Sequence, residues 1–196
     1  VPVGLTYDRR DDQLDARKGY YILADTAPFY AIEGAADGIQ TTADLRGYVS
    51  FGEARNLTFA LRGQLGSLFG PSIPTAPTDF LFYSGGGGTV RGQDYENLGV
   101  EIGDQGTVGG RSFLGLSAEV RWRSEGALGL VGFYDAGYIG REEFPDGNSG
   151  TWHGGAGLGV RYATGIGPIR FDVAVPTFGP EPDNDWYIYI GIGQTF

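Results

Sequence analysis

The sequence contains no cysteine, a single lysine (Lys18) and a single histidine (His153). Without thiols there is no disulfide framework and no cysteine-based metal site. One histidine with no cysteine near it leaves a metal centre without ligands, so His153 is expected to be a residue at a loop end. A Ser–His–Asp hydrolase would have to use His153, and nothing in the sequence brings a serine to it. The cations are otherwise thirteen arginines, set against 24 Asp and Glu for a formal charge of −10. An acidic chain without a basic stripe argues against nucleic acid as a partner. Long apolar runs are missing too, none approaching the ~18 residues of a membrane-spanning helix. The opening Val1-Pro2-Val3-Gly4-Leu5-Thr6-Tyr7 has neither a charged n-region nor an apolar h-region. The expectation is a removed signal or a longer parent chain.

What is present is glycine and alternation. The 196 residues suffice for one domain with its own core. Glycine occurs 36 times without a Gly-X-Y period, which excludes collagen, and 14% aromatics is too many for a disordered chain. Period-two alternation recurs in nine segments, roughly 1–9, 19–28, 42–52, 57–68, 111–123, 127–140, 152–164, 168–176 and 185–196. Short turns fall at Glu53–Asn56, Ser124–Gly126 and Gly165–Gly167, and the link Arg10–Lys18 lies on the same side. Longer loops fall at Phe29–Thr41, Phe69–Gly110, Arg141–Thr151 and Thr177–Asn184. Short turns at one end and long loops at the other are the layout of an antiparallel transmembrane β-barrel.

Charge placement separates this from a soluble barrel. Asp44, Arg46, Arg62, Glu119, Arg121, Arg123, Asp135, Arg161, Arg170 and Asp172 share one parity, while the other carries aliphatic residues, glycine and aromatics. A soluble barrel needs charges on its outer face. On a lipid face each mid-membrane charge would cost ~2–4 kcal/mol. Trp122, Tyr134, Tyr138, Tyr162 and Trp186 sit toward segment ends, as interfacial girdles do. Ile188, Ile190, Ile192 and Phe196 continue the outward face of the last segment. Most of the inward charges read as a solvated wall of paired groups, and their mixed sign argues against an ion-selective ring. Asp8, Asp11, Asp12 and Asp15 lack the ligand spacing of a calcium loop, and with Arg9, Arg10 and Arg17 they predict a self-paired turn.

The sharpest local signal is Gly85-Gly86-Gly87-Gly88-Thr89-Val90-Arg91-Gly92 within the loop 69–110. Four glycines let the backbone turn sharply and approach another surface closely. No Gly-Lys-Ser/Thr follows, so this is not a phosphate loop. The guanidinium of Arg91 is suited to bidentate capture of a carboxylate. If the loop folds inward, Glu119 and Asp135, inward-facing on the next two strands, are the expected partners.

From Phe80 to Tyr95 the chain resembles the sixth-loop signature of the barrel-assembly superfamily of outer-membrane proteins, the BamA and TamA group. That signature reads aromatic-x-Gly-Gly, then Val/Ile-Arg-Gly-aromatic; here Gln93 replaces the aromatic and Tyr95 follows two positions on. Leu5 to Tyr20 looks like the family's mid-barrel periplasmic turn. Gly132 to Gly137 looks like the strand whose aspartate receives the loop arginine, which gives that role to Asp135, and Glu119 matches the companion acid. The ending from Gly167 looks most like the TamA branch, with Phe196 as the terminal aromatic of a β-signal.

The resemblance implies that residues 1–196 are one barrel domain, the C-terminal part of a sixteen-stranded barrel from about its eighth strand, with no POTRA domains. It implies insertion or secretion of outer-membrane proteins, autotransporters especially, through a lateral seam at Trp186–Phe196. Gly191 and Gly193 are expected to ease opening of that seam. The implied partners are membrane lipid and lipopolysaccharide, unfolded outer-membrane proteins and a TamB-like inner-membrane-anchored protein. Free first and last edges would invite dimerisation. No catalytic residue, metal or cofactor is expected. The alternative is a passive pore or small structural barrel.

Overall fold

The computed structural model describes residues 1–30, 36–52, 56–103, 106–181 and 183–196. The strands are β1 (Val3–Asp8), β2 (Gly19–Phe29), β3 (Gly38–Phe51), β4 (Leu57–Phe69), β5 (Val100–Glu101) and β6 (Thr107–Val108). They continue as β7 (Ser112–Arg123), β8 (Leu128–Gly140), β9 (Thr151–Tyr162), β10 (Ile169–Phe178) and β11 (Tyr187–Ile192). Nine of them form one antiparallel sheet in the order β1-β2-β3-β4-β7-β8-β9-β10-β11, while β5 and β6 pair inside the long loop. The strands β1 and β11 each have a single neighbour, so the sheet is open at both edges.

Alternation in the sequence becomes two chemically opposite faces. Leu61, Leu158 and Ile190 are exposed at 63%, 73% and 73%, whereas Glu119 and Asp172 are exposed at 1% and 0%. Large apolar side chains outside and charges inside is an arrangement for hydrocarbon, not water. Trp122, Tyr162 and Trp186 are exposed near the strand ends, whereas Tyr134, also exposed, lies midway along β8 and not in a girdle.

Several boundaries differ from the sequence reading. The third strand begins at Gly38 rather than 42, because Gln40 and Thr41 pair with both β2 and β4 although they lack apolar alternation. The last strand covers only Tyr187–Ile192 of the expected 185–196. Gly193 takes φ +84°, and the chain turns inward, so that Phe196 is buried against Ala16, Tyr48 and Ala60 instead of continuing the outward face. Tyr138 keeps the outward parity but is fully buried rather than in a girdle. Its ring packs 5.0 Å from Trp152, and its hydroxyl donates to Asp146 Oδ1 at 2.5 Å, in the loop 141–150. Most of the expected turn at Glu53–Asn56 lies outside the described residues, as do parts of the loops after β2, β5 and β10.

Both ends of the sheet are closed over by chain. At the long-loop end Leu81, Phe82 and Val100 pack on Leu68, Phe113 and Ile139, seating the loop 70–111 on the strand ends. At the other end the turn 9–18 is partly self-paired: Asp8 binds Arg10 at 2.7 Å, and Asp11 Oδ1 accepts from the amides of Arg17 and Lys18. It also reaches across to distant chain. Asp15 pairs with Arg123, Ser50 Oγ donates to the Arg17 carbonyl, and the Gln194 amide donates to the Leu14 carbonyl at 2.8 Å. Formal charge is stratified between these ends. The loops 30–37, 70–111, 141–150 and 179–186 hold thirteen carboxylates and three arginines, whereas the strands and opposite turns balance.

Candidate functional site

The site is the descent of the glycine-rich loop into the charged face of the sheet. Gly85 and Gly86 adopt φ of +109° and +83°, which residues with a Cβ rarely take, and Gly92 does so at +86°. Between them Val90 and Arg91 are carried inward to 0% and 1% exposure. Gly155 on β9 has no side chain where the Arg91 carbonyl passes, so loop and strand backbones come into close contact.

Asp135 holds Arg91 from three directions. Its Oδ2 accepts the Arg91 amide at 3.1 Å and Nε at 2.7 Å, and its Oδ1 accepts Nη2 at 3.1 Å. Glu119 Oε1 lies 2.8 Å from Nη1 as an ion pair without hydrogen-bond alignment. Nη1 donates instead to Thr195 Oγ1 at 3.0 Å. The guanidinium carbon stands 3.5 Å from the centroid of Phe133, a cation–π contact on its flat face.

The surrounding charges interlock. Arg121 Nε binds Glu119 Oε2 at 2.7 Å, Arg161 pairs with Asp172, and Asp172 Oδ2 lies 3.6 Å from Arg91 Nη1. Three guanidiniums and three carboxylates therefore share one buried cluster. Burial of such groups is tolerated only while each keeps its partners, because a stranded charge in a dry site is costly. On the far flank Asp44 binds both Arg46 and Arg62, and Arg62 Nη1 donates to the Gly88 carbonyl at 3.0 Å. Gln93 donates to the carbonyls of Gly154 and Phe178, and Tyr95 is 74% exposed.

Asp172 and Thr195 escaped the sequence reading as neighbours of Arg91, although the inward parity of Asp172 was visible. His153 is not at a loop end but fully buried within β9, with Nε2 2.7 Å from Ser84 Oγ. The serine that the sequence did not place there arrives from 69 positions away when the loop descends. Among the described residues no carboxylate is hydrogen-bonded to His153, so the pair lacks the orienting acid of a triad and instead ties loop to strand. Among the described residues Arg170 Nε has no hydrogen-bond partner, and Gly191 opposite it leaves room for the guanidinium, where a Cβ would lie 2.8 Å from Nε. Among the described residues, no cluster of His, Asp or Glu is arranged to hold a metal ion.

The profile of the Omp85 superfamily domain matches residues 1–196. Among solved structures, the chain is similar to the crystal structure of BamA from Haemophilus ducreyi lacking POTRA domains 1–3. The TM-score is 0.72 at 18% identity, with 96% of this chain and 40% of that chain covered. The chain thus spans well under half of that structure, and at this identity the likeness concerns the fold. The match along the whole chain establishes that the protein belongs to the Omp85 superfamily, β-barrel proteins of the outer membrane of Gram-negative bacteria.

Proposed function

We propose that the chain is the C-terminal barrel part of an assembly or translocation factor of the TamA branch, which inserts or secretes β-barrel proteins such as autotransporters. The observation that carries the reading is an inner Val90-Arg91-Gly92 loop fastened by Arg91 to Asp135 on β8 and lying against the last strand, β11. An unpaired strand edge offers free N–H and C=O groups to an incoming strand. Strand exchange makes and breaks no covalent bond, so the reading assigns no catalytic residue. Lipid and lipopolysaccharide cover the outward apolar band, unfolded outer-membrane proteins engage the seam at Trp186–Phe196, and a TamB-like protein approaches from the turn side.

In liposomes, the full-length protein bearing this barrel is expected to insert an autotransporter, and Arg91→Ala to abolish most of that insertion. Steady single-channel conductance without any insertion by the unsubstituted protein would replace this reading with that of a passive pore. The mass of the chain in detergent tests whether two copies pair through the edges of β1 and β11.

A further inference from the structure

The strand β11 is weakly held by its backbone. It pairs with β10 over six residues, Ile169↔Ile192 to Ala174↔Tyr187, against thirteen between β3 and β4. Its outward residues Ile188, Ile190 and Ile192 are exposed, and their register partners are Val173, Phe171 and Ile169 on β10 alone. Its inward residues do otherwise. The Gly92 amide donates to the Tyr189 hydroxyl at 3.0 Å, and the tyrosine ring lies against Gly87, where a Cβ would come within 3.2 Å of it. The Tyr187 hydroxyl donates to Asp94 Oδ1 at 2.6 Å, and Asp94 Oδ2 accepts the Asp183 amide at 3.0 Å from the β10–β11 connection. Just past the strand, Thr195 Oγ1 accepts from Arg91. Meanwhile the loop is anchored elsewhere, by Asp135 on β8 and by Gln93 on the carbonyls of Gly154 and Phe178.

We infer that the inner loop is a staple for the last strand, fixed to β8–β10 and gripping β11 through the hydroxyls of Tyr187 and Tyr189. These tyrosines are positioning residues: they act on the edge of the sheet by way of the loop, not on a bound strand. Gly87, which does not take a positive φ, then serves the neighbouring strand, since it admits the Tyr189 ring. For its consequence in strand exchange the staple rests on the assembly reading, but its existence does not.

The test is hydrogen–deuterium exchange by mass spectrometry on the whole chain in lipid. Replacing Tyr187→Phe and Tyr189→Phe together removes two hydroxyls and leaves both rings. Two hydrogen bonds of ordinary strength set the expected acceleration of exchange in residues 187–192 at about tenfold. Peptides from β8 and β9 should keep their rates. Asp94→Ala, made from the loop side, should accelerate the same residues. Unchanged exchange at 187–192 in the double variant, or an equal acceleration in β8 and β9, would overturn the staple. Insertion is measured on the full-length protein bearing this barrel, with and without the same substitutions. Local acceleration in variants of a protein that inserts nothing even when unsubstituted upholds the staple and removes the assembly reading instead.

Discussion

Three hydrogen bonds leave the Arg91 guanidinium, two of them ending on Asp135 and one on Thr195, and Glu119 and Asp172 stand beside it as further ion-pair partners. Asp135 and Glu119 are therefore not equivalent. Asp135 also binds the Arg91 backbone, whereas Glu119 has Arg121 as a second partner. Arg91→Ala strands buried carboxylates and is expected to lower stability by about 3–5 kcal/mol. Asp135→Asn should cost more than Glu119→Gln, read from denaturant titrations in detergent. A double-mutant cycle of Arg91→Ala with Asp135→Ala should return a coupling of about 0.5–3 kcal/mol. Near-additive losses would show that the contact contributes nothing of its own. The inward direction of Glu119 and Asp135 was legible because side chains in a strand alternate with period two, whatever the fold around them. Thr195 and Ser84 were not, since their encounters with Arg91 and His153 depend on how far a long loop descends. Parity contains no information on that depth.

Among the elements, the loop 141–150 is held by side chains, and the tail after β11 by single backbone and side-chain contacts, rather than by ladders. Asp146 accepts from the Tyr138 hydroxyl and from the amides of Ser149 and Asn148, which together hold its carboxyl well below the usual carboxylate range. A depressed value in the folded state means that this support is present above the ordinary carboxylate pKa of about 3.9 and is lost as pH falls through the depressed one. With Trp122 and Trp186 replaced by Phe, Trp152 reports on the loop, because its Nε1 donates to the Gly147 carbonyl at 3.1 Å. Its emission should hold from neutral pH through pH 4 and shift only in stronger acid, while Asp146→Ala should shift it at every pH. At the tail, Gly193→Val places a branched side chain at φ +84°, where L-residues are strained by roughly 1–2 kcal/mol. The tail should swing out and release the Leu14 carbonyl from Gln194. Trypsin should then cut the turn at Arg17 and Lys18 faster than in the unsubstituted chain. That inward turn was hidden in the sequence by abundance: among 36 glycines nothing marks Gly193 as the one that ends a strand.

For the whole molecule, the faces of the sheet were readable from parity, and its open edges only through the resemblance to part of a larger barrel. One-sided exclusion of charge predicts a membrane barrel because lipid enforces it at every outward position. Whether β1 and β11 meet depends on geometry summed over all the strands, which no single segment records. The stratified charge has a kinetic meaning. In the outer membrane the long loops must pass through the bilayer before the strands can register, and they carry a formal charge equal to the whole chain's −10. Passage of these loops, rather than strand pairing, then sets the rate at which the chain enters a bilayer unaided. Vesicles with anionic headgroups should take it up more slowly than zwitterionic ones of the same thickness. Molar salt, which shortens the screening length to about 3 Å, should narrow the difference, as followed by the gel-shift of heat-resistant folded chain over time. The crown of carboxylates that keeps the surface end soluble would be the main barrier to reaching the surface.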